Sequence, residues 1–293
     1  MKSHILALGL LFAVGITLNS TSAQEKLIRQ AALTGETAMI VRIEGGMGSL
    51  HVRRGASNTA FSLVQLSGES DDARPSVRYN IKDDKGVLTV ELNVNENEDG
   101  DGLAELLHLF KGKHGGTWRL ELTDRVPIDF RMEFGAGEAA LDLTGLVLAG
   151  LRLETGASSL RIRSAEPNTA RIGTVSITAG LGSIESESLG NLNFDRMRFE
   201  GGLGSYELDL SGALRDGAQI RAEVGLGSLD ILVPAQVGIL AYCEDNFLSS
   251  SDLHRFVRLE DDVYASPNYK QSSRKVKMNL ESGLGSVSVR VKK

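Results

Sequence analysis

Apolar side chains recur at every second position through much of this chain. Val175 and Ile177 lead into a glycine-rich tetrapeptide and Ile184 follows it; Met197 and Phe199 lead into the next, with Tyr206, Leu208 and Leu210 beyond. Ile220, Ala222 and Val224 repeat the pattern, followed by Leu229, Ile231 and Val233. Side chains two apart share one face of a strand, so each run predicts a strand with one apolar and one polar face. The tetrapeptide between the runs is GLGS at 180–183, 202–205, 225–228 and 283–286, with the looser copies GMGS at 46–49, GAGE at 135–138 and GASS at 156–159. Five consecutive copies begin at 135, 156, 180, 202 and 225, in steps of 21, 24, 22 and 23 residues. Self-similarity at one period of this size marks a repeat architecture.

Each period holds two strands and two turns. Glycine at a corner tolerates positive φ and lets neighbouring backbones approach closely, and the serine after it is expected to bind corner amides or carbonyls through its hydroxyl. Stacked about 4.8 Å apart, such units bury one continuous aliphatic column. The pattern therefore predicts an all-β fold: a single-chain, β-helix-like β-solenoid with rungs of about 22 residues and capping sections at both ends. A β-sandwich with glycine-rich hairpins also accommodates short, evenly spaced strands, although hairpin loops seldom repeat one tetrapeptide at one interval.

Three sections follow from this pattern. Residues 1–23 carry Lys2, an apolar stretch at 5–16 and the small residues Thr21, Ser22 and Ala23, which read as a cleavable secretory signal. Its apolar core is too short for a membrane span, and after its removal no integral membrane span is expected. Residues 24–125 form an N-terminal capping section with an irregular corner at Gly46, a hairpin around Asp83 to Gly86, and a charged excursion whose LAELLHLF segment, 103–110, reads as a short helix. Residues 126–293 form the regular coil and a C-terminal cap, with a long loop at 245–273 and a closing strand pair around Gly283. The basic residues Arg290, Lys292 and Lys293 are expected to protect an open edge on the last strand.

Composition narrows the function classes. The net charge is −6, and removing Lys2 with the leader makes it −7, which argues against a nucleic-acid partner. One cysteine, Cys243, on an apolar strand, excludes an internal disulfide and is expected to be half-buried. No GxSxG elbow, GxxxxGK loop or GxGxxG after a strand occurs, so hydrolase, nucleotidase and dinucleotide readings lack their anchors. Asn95, Asn97, Asp99 and Gly100 imitate a calcium loop, but Leu106 stands where its bidentate glutamate belongs and Glu105 is one residue short. His51, His108, His114 and His254 show no zinc-ligand spacing, so neither metal nor cofactor is expected.

The corners GAGE, GASS and GLGS, the lead-in Leu120, Glu121, Leu122 to Val126 and Pro127, and the ending LDILVPAQVGI with SGLGSVSV resemble the toast-rack β-solenoid family. That family includes the C-terminal domain of LiaF-type cell-envelope stress regulators and many bacterial adhesin-type proteins. The resemblance covers residues 117–293, with a weaker echo at 43–53, and implies an extracytoplasmic bacterial protein with no catalytic residues to carry over. LiaF-type regulators join the domain to transmembrane helices, whereas this chain begins with a leader.

Two surfaces invite a functional reading. Glu185, Glu187, Glu207, Asp209 and Asp230 stand at comparable offsets after the corners and are expected to align into an outward acidic ladder. The 245–273 loop mixes aromatic residues with arginine, the usual composition of a contact hot spot, and its candidate binding residues are Phe256, Arg258, Tyr264 and Tyr269. The same loop would serve as a cap over the aliphatic column, with Phe256 and Val257 tucked inward. The reading is a non-enzymatic scaffold or adhesin-like protein, periplasmic, secreted or at the cell surface, that binds a protein or a surface polymer of the envelope. An envelope-stress modulator and a carbohydrate-active enzyme on the same coil are the alternatives.

Overall fold

The computed structural model describes residues 25–67, 75–92, 116–244 and 250–292. The leader, the calcium-like stretch, the 103–110 segment, His108 and His114 lie outside them. The chain opens with β1 (Lys26–Ala32), β2 (Ala38–Arg54), β3 (Thr59–Ser67), the hairpin β4 (Ser76–Lys82) and β5 (Lys85–Leu92), and β6 (Thr117–Leu122). Five long strands follow: β7 (Ile128–Asp142), β8 (Leu148–Arg163), β9 (Ile172–Glu187), β10 (Phe194–Asp209) and β11 (Gln219–Pro234). The chain then adds β12 (Val237–Glu244), β13 (Ser250–Leu253), β14 (Val257–Glu260), β15 (Val263–Ala265), β16 (Arg274–Ser282) and β17 (Ser286–Lys292).

All of these belong to one 17-stranded sheet. From β2 through β7 to β11 the pairing is parallel, with the glycine corners in register: Gly48, Gly137, Ser158, Gly182, Gly204 and Gly227 form one column. Parallel stacking of superimposed corners is the solenoid arrangement and excludes the sandwich. Each of β7 to β11 is a single strand of 15 or 16 residues that runs unbroken through its corner, so the ladder continues around the bend. At Gly182 and Gly227, φ of +135° and +131° turns the strand without a Cβ penalty.

The bend divides every rung into two arms whose apolar faces look at each other. Phe199 before the corner and Tyr206 after it meet at 5.2 Å between ring centroids. The loops between rungs close the remaining side with buried Leu143, Leu146, Leu189, Leu192, Leu210 and Leu214. Two buried asparagines knit these loops together. Asn168 donates to the Leu148 carbonyl at 2.8 Å and accepts from its amide at 2.9 Å, while Asn191 donates to the Ser164 carbonyl at 2.8 Å and accepts from the Ala213 amide at 2.9 Å. Backbone groups in the loops and at the strand start are satisfied in this way.

Stack order departs from chain order at both ends. β2 lies between β7 on one side and β5 with β6 on the other. At the far end β16 and β17 insert between β11 and the pair β12 and β13. The last strand pairs with β11 along its length and with β13 at 286–289, so it is an edge only at 290–292, where Arg290 and Lys292 stand and no second described strand pairs with it. A slot between two unpaired strand edges leaves two rows of unserved N–H and C=O groups, and a returning strand fills both. The 245–273 segment, expected as a loop, contains β13, β14 and β15 among its described residues, and β15 pairs antiparallel with both β12 and β14. The hairpin expected near Asp83 is the β4–β5 pair.

Candidate functional site: the outer face of the glycine corner

The residue between the two corner glycines points away from the core, since the bend leaves no room on its inner side. In register these positions are Met47, Ala136, Ala157, Leu181, Leu203 and Leu226. Leu284 extends the column, its amide donating to the Gly225 carbonyl at 2.8 Å. Leu181, Leu203, Leu226 and Leu284 are 47%, 48%, 45% and 56% exposed, forming an apolar ridge along the coil. Exposed large apolar residues in one continuous line are uncommon on a protein with no partner there.

A second column flanks the ridge two residues before each first glycine: Glu44, Glu133, Glu154, Thr178, Glu200, Glu223 and Glu281. Glu44, Glu133 and Glu154 make no ion pair with any described residue, whereas Glu223 and Glu281 hold Arg221. Glutamates and glycines line two open hollows of about 510 and 500 Å³ on this face. Next outward runs an arginine column, Arg42, Arg131, Arg152, Arg198 and Arg221, interrupted by Ser176. Arg131 turns from the glutamates to Asp129 at 2.6 Å.

On the other flank stand the corner serines, whose behaviour differs from expectation. Ser183 donates to Ser159 at 3.1 Å and Ser228 to Ser205 at 3.2 Å, so these hydroxyls link rung to rung instead of tying down corner amides. Register brings each serine over its neighbour, about one strand spacing away, where a hydroxyl reaches a hydroxyl.

The expected acidic ladder on the second arm is present in register, with Glu185, Glu207 and Asp230 in one column. It is largely neutralised in place. Arg161 approaches Glu185 at 3.5 Å, Arg163 approaches Glu187 at 3.1 Å and Arg290 approaches Asp230 at 3.2 Å. Asp209 is 3% exposed and bound by Lys292, so it is a buried anchor and not an outward rung of the ladder. Burial pushes its carboxyl up, but the bonds from Lys292 and Ser211 outweigh burial and hold it below the usual carboxylate range.

The candidate binding residues divide between two places. Phe256 and Tyr264 pack against the end of the core, and Arg258 lies opposite Tyr264 in register while pairing with Asp261 at 2.9 Å. Tyr269 sits apart, with the Lys275 ammonium 5.3 Å above its ring. Val257, expected to tuck inward, is 57% exposed; it lies on the outer face of β14 while Phe256 supplies the apolar contact. Cys243, expected half-buried, is buried outright. Among the described residues no three His, Cys, Asp or Glu gather as a metal site, and no helix is long and apolar enough to cross a membrane.

Neither column was recognised in the sequence, yet both left a signal there. A leucine inside four glycine turns is out of phase with the strand alternation, and glutamate stands two residues before six of the seven corners.

The parallel stack of bent strands, its corners superimposed, defines an all-β solenoid of the toast-rack kind. Residues 17–187 match the family described as the N-terminal domain of toast_rack, DUF2154, and the chain belongs to that family. Among solved structures it is similar to a "putative cell adhesion protein" from Clostridium sporogenes ATCC 15579, at 16% identity and a TM-score of 0.46, over 92% of this chain and 99% of that one. It is also similar to a "putative adhesin" from Bacteroides fragilis NCTC 9343, at 12% identity and a TM-score of 0.35, over 92% and 98%. Comparison with curated proteins gives no match.

Proposed function

We propose that this protein is a non-catalytic, extracytoplasmic scaffold of the bacterial cell envelope that holds a partner along its glycine corner. The observation that carries the reading is the ridge of Leu181, Leu203, Leu226 and Leu284 beside a column of glutamates. The partner, a protein or a surface polymer, presents apolar groups next to cationic ones at intervals that suit the rungs. Export rests on the 1–23 leader. A carbohydrate-active role gains no support from the second arm, where the acids are largely engaged by arginine and lysine.

The test compares retention on cross-linked envelope fractions for the wild type, the double variant Leu203→Asp with Leu226→Asp, and Glu207→Lys on the other arm. Loss of retention in the ridge variant alone is expected. Equal retention by all three overturns the reading of this face. Recovery of the full chain from the cytoplasm instead of the envelope overturns the location.

A further inference from the structure

Among the described residues, both ends of the sheet stop at strands with one unserved edge: β4 pairs with β5 alone and β1 with β3 alone, and at the other end β14 pairs with β15 alone and β13 with β17 alone. Such edges present rows of backbone donors and acceptors that template the addition of another strand. Arg290 and Lys292 stand on the end of β17, beyond its pairing with β13, and not on β1, β4, β13 or β14, whose outer edges no described strand covers.

The ends match arm for arm. β4 and β14 both terminate the arm that precedes the corner, and β1 and β13 both terminate the arm that follows it. β14 runs with the coil and β4 against it, which suits an antiparallel pair; β1 and β13 both run with the coil, which suits a parallel one. Arg29 of β1 donates to the Val77 carbonyl of β4, joining the two edges at that end into one surface.

Apolar exposure and charge point to the same pairing. Leu27 and Ile81 are 56% and 52% exposed at one end, Val257 and Leu259 57% and 51% at the other. All four residues of β14 are exposed, so this strand has no covered face. β1 and β4 carry Lys26, Arg29, Arg78 and Lys82 with no acid, a charge of +4. Counted over the strands in the same way, β13 and β14 carry Asp252 and Glu260 against Arg258, a charge of −1. Opposite charges across a contact fix its register and speed the encounter.

We propose that copies of this chain associate head to tail, β14 adding to β4 and β13 to β1 of the next molecule, so that one coil continues into another. The contact is heterologous, and since its two surfaces lie at opposite ends of the molecule it propagates into a filament. It is independent of the partner bound along the corner.

Sedimentation velocity on the full chain tests this. The wild type is expected to form a concentration-dependent series of oligomers, and Ile81→Asp at the head or Leu259→Lys at the tail to weaken association at least about tenfold. Both side chains are exposed, and circular dichroism checks that each variant folds. An equimolar mixture of the two variants retains one sound head and one sound tail, so it is expected to form dimers and nothing longer. Hydrogen exchange on the wild type gives a second reading: amides of β4 and β14 should gain protection as concentration rises, while those of β9 do not change. A wild type that stays monomeric at every concentration, variants that associate as it does, or a mixture without dimers each overturn the proposal.

Discussion

Lys292 donates from Nζ to Oδ2 of Asp209 at 2.7 Å, reaching across β11 to tie the end of the last strand to a rung two layers away. The Asp209 side chain is 4% exposed while that of Lys292 is 46% exposed, so a solvated cation holds a buried anion. Asp209 also accepts from the Ser211 amide at 2.8 Å. The bond therefore locks the inserted strand into the slot between β11 and β13.

Replacing Lys292 by Met leaves the buried carboxylate with the Ser211 and Ser188 amides and the Ser211 hydroxyl, and no cation. Urea unfolding should show a loss of about 1–3 kcal/mol, the range for stranding a buried polar group. A change below about 0.5 kcal/mol would mean that water already serves Asp209 and that the lock is unimportant. Lys277→Met, at an exposed position on β16, is the control.

The rungs were legible in the sequence because alternation and corner glycines are local signals, and both describe a single repeat. The order of the rungs was not legible. Moving β16 and β17 inside β12 and β13 leaves every period and every apolar face unchanged, so residues 274–292 read equally well as an outer cap. Asn168 and Asn191 were missed for a related reason, since an asparagine that bonds its own loop and one that bonds the next rung are identical in a pattern. The ridge was hidden by assigning Leu181, Leu203 and Leu226 to the turn motif as a whole, without asking where each side chain goes.

The corners are tight enough to test one atom at a time. A Cβ added at Gly204 would lie 1.9 Å from the Gly182 carbonyl oxygen, and one at Gly227 would lie 1.9 Å from that of Gly204. These obstacles are backbone of the adjoining rung and have no rotamer to retreat into. Gly204→Ala and Gly227→Ala should each cost more than about 3 kcal/mol, or prevent folding. Gly173, where an added Cβ meets nothing within 4 Å, should tolerate alanine to within about 0.5 kcal/mol. Equal melting temperatures for Gly173→Ala and Gly204→Ala would show that rung spacing relaxes freely.

Tyr206 fills the core with a ring but brings a hydroxyl that finds no hydrogen-bond partner among the described residues. Burial alone pushes its phenol up. Tyr206→Phe keeps the edge contact with Phe199 and removes the stranded group, so stability should stay level or rise by up to about 1 kcal/mol. Tyr206→Leu, which loses the ring, should lower it by about 1–3 kcal/mol. A marked loss in the phenylalanine variant would reveal a partner for the hydroxyl.

Glu36 sets the expected acid sensitivity of the N-terminal end. Burial raises its carboxyl, but the Tyr79 hydroxyl, its own amide and the amides of Thr34 and Gly35, at 2.7 and 2.9 Å, bring it from 4.5 down to about 2. A carboxyl depressed in the folded state contributes stability that is complete above its unfolded value and lost as pH falls through its folded one. The contribution is about 3 kcal/mol at neutral pH, and it should decline from about pH 4.5 toward pH 2. Glu36→Gln removes this titration, so wild type and variant should differ most near pH 7 and converge in strong acid. A stability difference that stays constant across that interval would show that the carboxylate charge is not what the four donors recognise.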